Sequence, residues 1–323
     1  MSLIEKAVER LDRLKQAGGD GDAVSGKAPA AGSPPAAAAK RTDQPGSSGA
    51  AARVAAQQPV EPAVARPAAK PVEIDLGRLA KMNMVTPDKP KSAIAEEFRV
   101  IKRPLIQNAQ GRGAAPIENG NLIMVTSALP GEGKSFSAIN LAVSMAMELD
   151  FTVLLVDADF SKPAILGRLG LPSQKGLMDV LVGDVPDLSD VMLRTSIEKL
   201  TVLPAGIPQP RATELIASEA MERMLDEIAG RYRDRIIVFD SPPLLPTTEA
   251  RVLASHMGQI VLVVEADRTS HGAVKQALAT IETCPVKLML LNKASRSQSE
   301  GLYGYGYGYG YGYGADHNSG ATA

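Results

Sequence analysis

The stretch Ser127-Ala-Leu-Pro-Gly-Glu-Gly-Lys-Ser135 carries the residue types that phosphate binding requires. It follows the apolar run Leu122–Thr126 and precedes a helical pattern, the strand–loop–helix setting in which such a loop works. Successive backbone N–H groups around Gly131–Lys134 would form an anion nest, and the helix N-terminus adds its positive dipole end. Lys134 can reach a β- or γ-phosphate, and the Ser135 hydroxyl can ligate Mg²⁺. Pro130, Gly131, Glu132, Gly133 and Phe136 complete the segment expected to meet the nucleotide. Ala128 stands where glycine opens the usual pattern. A turn needing positive φ would resist alanine, so the loop is expected to differ there.

Two more apolar runs end in carboxylates: Val153-Leu-Leu-Val-Asp157-Ala-Asp159 and Ile236-Ile-Val-Phe-Asp240. Ligands of open parallel sheets sit at the carboxyl ends of the strands, which would bring all three aspartates to the phosphates. A carboxylate at a strand end is often only a helix cap. Two such ends beside a phosphate loop are better explained by a Mg²⁺–nucleotide site. Asp240 is expected to hold the metal, directly or through water, and Asp159 to serve it as well. Asp157 could take a proton from an attacking hydroxyl. Asn292, which closes the last apolar run, either reads a base such as adenine or caps a loop.

Six of the seven tyrosines, Tyr303, Tyr305, Tyr307, Tyr309, Tyr311 and Tyr313, alternate with glycine near the end of the sequence. Core tyrosines would be scattered among apolar neighbours. Glycine is the residue costliest to order, so this segment reads as a pliable leash presenting phenolic hydroxyls. Beside a phosphate loop it looks like a substrate attached to its own enzyme. From Ser295 to the middle of the repeat is about 14 residues. That gives a coil dimension of roughly 20 Å and a full reach of roughly 50 Å. Length alone therefore does not separate modification in cis from modification in trans.

The elements that must position these residues follow from periodicity. Strands are expected at Leu122–Thr126, Thr152–Asp157, Leu200–Leu203, Arg235–Asp240, Gln259–Val264 and Lys287–Leu291. Helices are expected near Ser135–Met147, Thr213–Ala229, Thr247–Ser255 and Ser270–Glu282. Ile94, Phe98, Ile101 and Leu105 place another over Ile94–Ile106, with Pro104 kinking or ending it. Strands this continuously apolar are buried on both faces, which implies a mostly parallel sheet covered by helices, a three-layer α/β domain. That domain is expected over 72–294 and a flexible tail over 295–323. Residues 17–71 are Ala/Pro/Gly/Ser-rich and lack the branched and aromatic residues that offset ordering entropy, so they read as a disordered linker. Residues 1–16 read as an amphipathic helix, with Ser2 and Glu5 at capping-box spacing and a stripe of Ile4, Ala7, Leu11 and Leu14. Such a stripe is either a frayed end or a docking helix.

Bulk properties exclude several classes. A formal net charge of −1 over 323 residues gives no reason to expect nucleic acid as a partner. One cysteine, Cys284, permits no disulfide framework and reads as a buried small hydrophobe. No apolar run approaches the length of a membrane span and no signal-peptide pattern opens the chain, so a cytoplasmic location is expected.

These residues resemble the bacterial tyrosine kinases of capsule and exopolysaccharide synthesis. The carriers are Pro130-Gly-Glu-Gly-Lys-Ser135, Val153-Leu-Leu-Val-Asp-Ala-Asp159, Asp240-Ser-Pro-Pro243, Gly176-Leu-Met-Asp-Val-Leu181, Leu203-Pro-Ala-Gly206 and the tyrosine cluster. The N-terminal helix, the linker and Glu96-Glu-Phe-Arg-Val-Ile-Lys-Arg-Pro104 resemble the exosortase-associated tyrosine autokinases in particular. The resemblance implies a deviant P-loop fold of the partition-ATPase kind, with ATP and Mg²⁺ as cofactors. It further implies autophosphorylation of the tail, a homo-oligomeric ring, a tyrosine phosphatase, and a membrane-embedded polysaccharide co-polymerase that recruits and activates the kinase at the inner face of the membrane. The oligomerisation motif of that family falls on Glu96, Arg99 and Lys102. Lysine in the third place keeps the charge but not the bidentate geometry of arginine. Lys162 likewise replaces an arginine after the second-strand aspartates.

Two rivals use the same observations. An ATPase switch of the septum-placement or partition type would share the fold, but it carries an extra lysine near the start of the loop, where Leu129 stands here. A self-associating structural protein would explain the Tyr-Gly repeat and leave the nucleotide site idle.

Overall fold

The computed structural model describes residues 71–113, 115–231 and 235–295. The expected helix of 1–16, the linker that follows it and the tyrosine repeat lie outside the described residues. Seven strands form one sheet: β1 Leu122–Ser127, β2 Thr152–Asp157, β3 Leu193–Arg194, β4 Leu200–Leu203, β5 Arg235–Asp240, β6 Gln259–Glu265 and β7 Val286–Asn292. Their spatial order is β3-β4-β2-β5-β1-β6-β7. All neighbours run parallel except the short β3, which is antiparallel to β4. The helices are α1 Leu76–Lys81, α2 Ala93–Ala109, α3 Lys134–Ala146, α4 Ile165–Leu169, α5 Leu177–Leu181, α6 Ala212–Ile216, α7 Glu219–Arg231, α8 Thr248–Ala254 and α9 His271–Ala279. This is the P-loop NTPase architecture, a mostly parallel sheet flanked by helices.

The central strands are buried on both faces and feed two cores. Ile123, Val125, Val153, Leu155, Val238 and Val261 pack with Phe98 and Leu105 of α2 and Ile139 and Val143 of α3. Met124, Leu154, Val156, Ile237, Phe239 and Leu262 pack with Met221 and Leu225 of α7, Leu253 of α8 and Ala277 of α9. Alternate residues of each strand thus enter opposite layers, as a period of two requires. Cys284 is buried, its thiol donates to the Met257 carbonyl, and burial pushes its pKa up.

Three local expectations are corrected. Of the two readings of Pro104, ending the helix is excluded: α2 runs through it to Ala109, three residues past the expected Ile106. The proline removes one donor, whose acceptor would be the carbonyl of Val100, a residue 65% exposed where water can take over. Beyond it Leu105 and Ile106 are buried, so packing outweighs the lost bond. The expected single helix over Thr213–Ala229 is two, α6 and α7. Between them the Ser218 hydroxyl donates to the Leu215 carbonyl and accepts from the Met221 N–H, closing one helix and capping the next. The two-residue β3 and the short helices α1, α4 and α5 carry too little periodicity to be expected from the sequence.

Candidate active site

The carboxyl end of β1 turns into α3 through the glycine loop. Gly131 (φ +89°) and Gly133 (φ +105°) occupy the left-handed region. A Cβ on Gly133 would come within 2.0 Å of Asn292 Nδ2, so two independent constraints demand glycine there. Ala128 is not among the positive-φ residues, and its methyl is buried in the core. The departure from glycine therefore introduces no strain. The Ser137 N–H bonds the Gly133 carbonyl at 2.9 Å. The amides of Lys134, Ser135 and Phe136 in the first turn then have no intrahelical acceptor and form an anion cradle.

The loop is braced from behind. Glu132, 2% exposed, turns its carboxylate inward to accept from the Leu129 N–H (2.6 Å) and the Thr269 hydroxyl. Asn292 Nδ2 donates to the Glu132 carbonyl (2.8 Å), and Lys293 Nζ to the Gly131 carbonyl (2.8 Å). Lys293 is also paired with Glu265 at 3.1 Å. Of the two readings of Asn292, its amide here serves the loop.

Sheet order places β2 beside β5 and pairs Asp157 with Asp240 in register. Lys134 Nζ lies 2.6 Å from Asp159 Oδ2 and 3.8 Å from Asp240 Oδ1. Asp157 caps α4: its Oδ2 accepts from the Ala164 and Ile165 N–H groups, both at 3.0 Å. Burial, with a smaller contribution from neighbouring Asp240, raises its pKa to about 7. Burial also raises Asp240 to about 6 against the pull of Lys134. Neither oxygen of fully buried Asp240 has a hydrogen-bond partner, although the Ser135 hydroxyl is near enough to favour its charged form.

A buried carboxylate whose oxygens lack hydrogen-bond partners, beside a serine hydroxyl, fits Mg²⁺, which binds through one or two protein oxygens and fills its octahedron with water and phosphate. Among the described residues there is no group of three or more His, Cys, Asp or Glu that could hold a metal, so an all-protein cage is not on offer. Asp159 is more heavily engaged, holding Lys134 on Oδ2 and Ser161 Oγ and the Lys162 N–H on Oδ1, each at 3.0 Å for the latter two.

A cavity of about 350 Å³ opens over Lys134, Ser135 and Asp159; Asp240 is not in its wall, and Asp157 lines a separate cavity. Pro130, Gly131, Gly133, Lys134, Ser135 and Asp159 line one side. Lys162, Arg168 and Thr247 are among its other walls. Arg168 was not anticipated. It rides on a five-residue helix whose position is set by the Asp157 cap, and the only sequence signal is a basic residue shortly after the second-strand aspartates. Phe136 contributes its backbone to the cradle, but its ring packs edge-on against Phe98, 6.4 Å between centroids, and is not part of the cavity wall. The expected interface residues lie on α2. Glu96 is exposed and Arg99 half-buried; they are paired with one another, and Arg99 also donates to the Pro90 carbonyl at 3.0 Å. Lys102 is corrected: it is 4% exposed, donates to the Ser144 carbonyl and pairs with Glu148 at 2.8 Å, so its charge is satisfied within the chain.

Comparison with known proteins fits this geometry. Residues 120–293 match the family model described as an AAA domain. The chain is 31% identical over 232 residues to the tyrosine-protein kinase YwqD of Bacillus subtilis, covering 71% of this chain and 94% of that protein. The chain belongs to the bacterial tyrosine kinase family. As a member of that family it is a protein-tyrosine kinase. The crystal structure of the chimerical protein CapA2B2 superposes with a TM-score of 0.58 at 30% identity, covering 70% of this chain and 94% of that one. The succinoglycan biosynthesis transport protein ExoP of Rhizobium meliloti is 31% identical over 225 residues, 68% of this chain and 27% of ExoP.

Proposed function

We propose that this tyrosine kinase uses ATP and Mg²⁺ to phosphorylate its own cluster, Tyr303, Tyr305, Tyr307, Tyr309, Tyr311 and Tyr313, in the service of exopolysaccharide synthesis and export. The observation that carries the reading is the buried carboxylate of Asp240, without a hydrogen-bond partner and 3.8 Å from Lys134 Nζ, beside Ser135 and the first turn of α3. Lys134 and the first-turn amides of α3 hold the β- and γ-phosphates, while Arg168 and Lys162 supply further positive charge at the cavity wall. Asp240 and Ser135 would hold Mg²⁺, which neutralises phosphate charge when bound, and Asp159 would assist after releasing Lys134. The phenolic oxygen attacks the γ-phosphorus, the bond to the β–γ bridging oxygen breaks and ADP leaves. The phenolic proton passes to Asp157.

The membrane side of the proposal rests on ExoP, a transport protein of which this chain matches about a quarter. Among the described residues no helix is long and apolar enough to cross a membrane. A separate membrane-embedded co-polymerase is proposed to recruit the kinase to the inner face of the membrane. A tyrosine phosphatase would reset it. A ring of copies would assemble through the face of α2 that carries Glu96 and Arg99.

Purified full-length chain incubated with γ-labelled ATP and Mg²⁺ tests the enzymatic core. The wild type should incorporate label, and a chain with all six tail tyrosines changed to phenylalanine should lose it. Equal ATP hydrolysis by both chains with no label in either would instead mark an ATPase switch.

A further inference from the structure

Strand β7 has β6 on one side and, among the described residues, no strand on the other. Alternate backbone N–H and C=O groups along it therefore point out of the sheet. Its side chains divide cleanly. Leu288 and Leu290 pack on the core beneath α2 and α3. Lys287, Met289 and Leu291 lie on the opposite face, in register with Ile260, Leu262 and Val264 of β6. On β6 that face is covered, with Ile260 and Leu262 at 0% exposure. On β7 it is not: Met289 is 66% and Leu291 60% exposed. Helix α9 packs its Ala273, Val274, Ala277 and Leu278 against the same core without covering the edge strand. An apolar face on an open edge is a template for another strand, and folded proteins normally blunt or cover one.

We propose that the Tyr-Gly segment of the same chain covers it, adding to β7 as an antiparallel edge strand with its tyrosine rings over Met289 and Leu291. The repeat has the required period: tyrosine at every second position puts all six rings on one face of a strand, with only glycine on the other. Connectivity agrees. Seven residues, 296–302, separate Ser295 from Tyr303, enough for a hairpin turn at the Leu291 end of β7. A parallel arrangement would have to carry the chain back along the whole strand first. Tyrosine beside methionine and leucine is a favourable cross-strand pairing. The seven residues of β7 match about half of the repeat, so roughly three or four tyrosines dock and the others extend past the Val286 end. Rings docked on the edge strand are engaged there and not in the cavity, so the edge holds acceptors in reserve. Phosphate on these rings would place charge on an apolar face and release them.

Amide hydrogen exchange on the full chain tests this, in a Lys134→Met background that keeps the tail unmodified. The readout does not depend on kinase activity and survives a failure of the autokinase reading. Exchange within 303–309 should be at least about 10-fold slower than in a Met289→Thr/Leu291→Thr chain. A Tyr305→Pro/Tyr307→Pro chain, altered only in the tail, should lose the same protection, because tyrosines set opposite Met289 and Leu291 carry the ladder donors. Equal, fast exchange in all three chains would overturn the proposal. Protection that grows with protein concentration would overturn it in favour of a second copy at this edge.

Discussion

Asp240 is the residue at which folding and chemistry conflict. Its carboxylate is buried without a hydrogen-bond partner, and burial lifts its pKa to about 6. Folded Asp240 therefore binds a proton more tightly than unfolded Asp240, and its contribution to stability falls as pH rises from about 4 to 6, then levels. Asp157, raised to about 7, acts in the same direction to slightly higher pH. Asp240→Asn should accordingly stabilise the ligand-free protein at pH 8 by roughly 1–3 kcal/mol and by little at pH 4. Thermal unfolding at the two pH values measures the difference. The same variant should lose the extra stabilisation that Mg²⁺ adds to ADP. Arg168→Ala removes a cation from the cavity wall and should slow phosphate incorporation roughly 10-fold or more, with Tm unchanged because Arg168 is exposed. A fall in Tm matching the loss of activity would place Arg168 in the fold instead.

The glycine loop belongs to the scale of elements, because its shape depends on β6 and β7 as much as on β1 and α3. Gly133→Ala meets both a left-handed backbone and the Asn292 amide, and should abolish the thermal shift produced by nucleotide. Asn292→Ala removes one hydrogen bond from the loop. It should weaken nucleotide binding about 5-fold, read by titration calorimetry, with no loss of the fold. The loop itself was legible in the sequence because glycine, lysine and serine are dictated by backbone geometry and phosphate charge at fixed spacing. Asp157 and Asp240 were legible as polar ends of apolar runs, since parallel strands deliver their carboxyl ends to one edge. The supports were not. Glu132 looks like a nucleotide-facing residue until Thr269, far along the chain, is seen to bond it. Lys102 reads as a surface charge until Glu148 and the Ser144 carbonyl close over it. Ser218 divides a periodic stretch through one hydroxyl, a signal that apolar spacing does not carry.

For the whole molecule, the division of α2 predicts two separable outcomes. Lys102→Ala removes a buried lysine from half-buried Glu148 and from the Ser144 carbonyl, and should lower stability by roughly 1–3 kcal/mol in chemical denaturation. Glu96→Ala/Arg99→Ala touches a solvent-facing pair and one hydrogen bond to the Pro90 carbonyl, and should cost no more than about 1 kcal/mol while shifting the oligomer distribution seen by light scattering. Full phosphorylation of the repeat would add on the order of −9 to −12 charges within a dozen residues, enough to repel neighbouring tails in an assembly. Phosphate written by this chain onto its own tail is the central prediction. Mass spectrometry of the tail peptide, from protein made in its own host, should be compared with the Lys134→Met chain. Phosphate on Tyr303–Tyr313 that disappears with Lys134 is the predicted result. An unmodified tail in both chains, with ATP hydrolysis intact in the wild type, would contradict it.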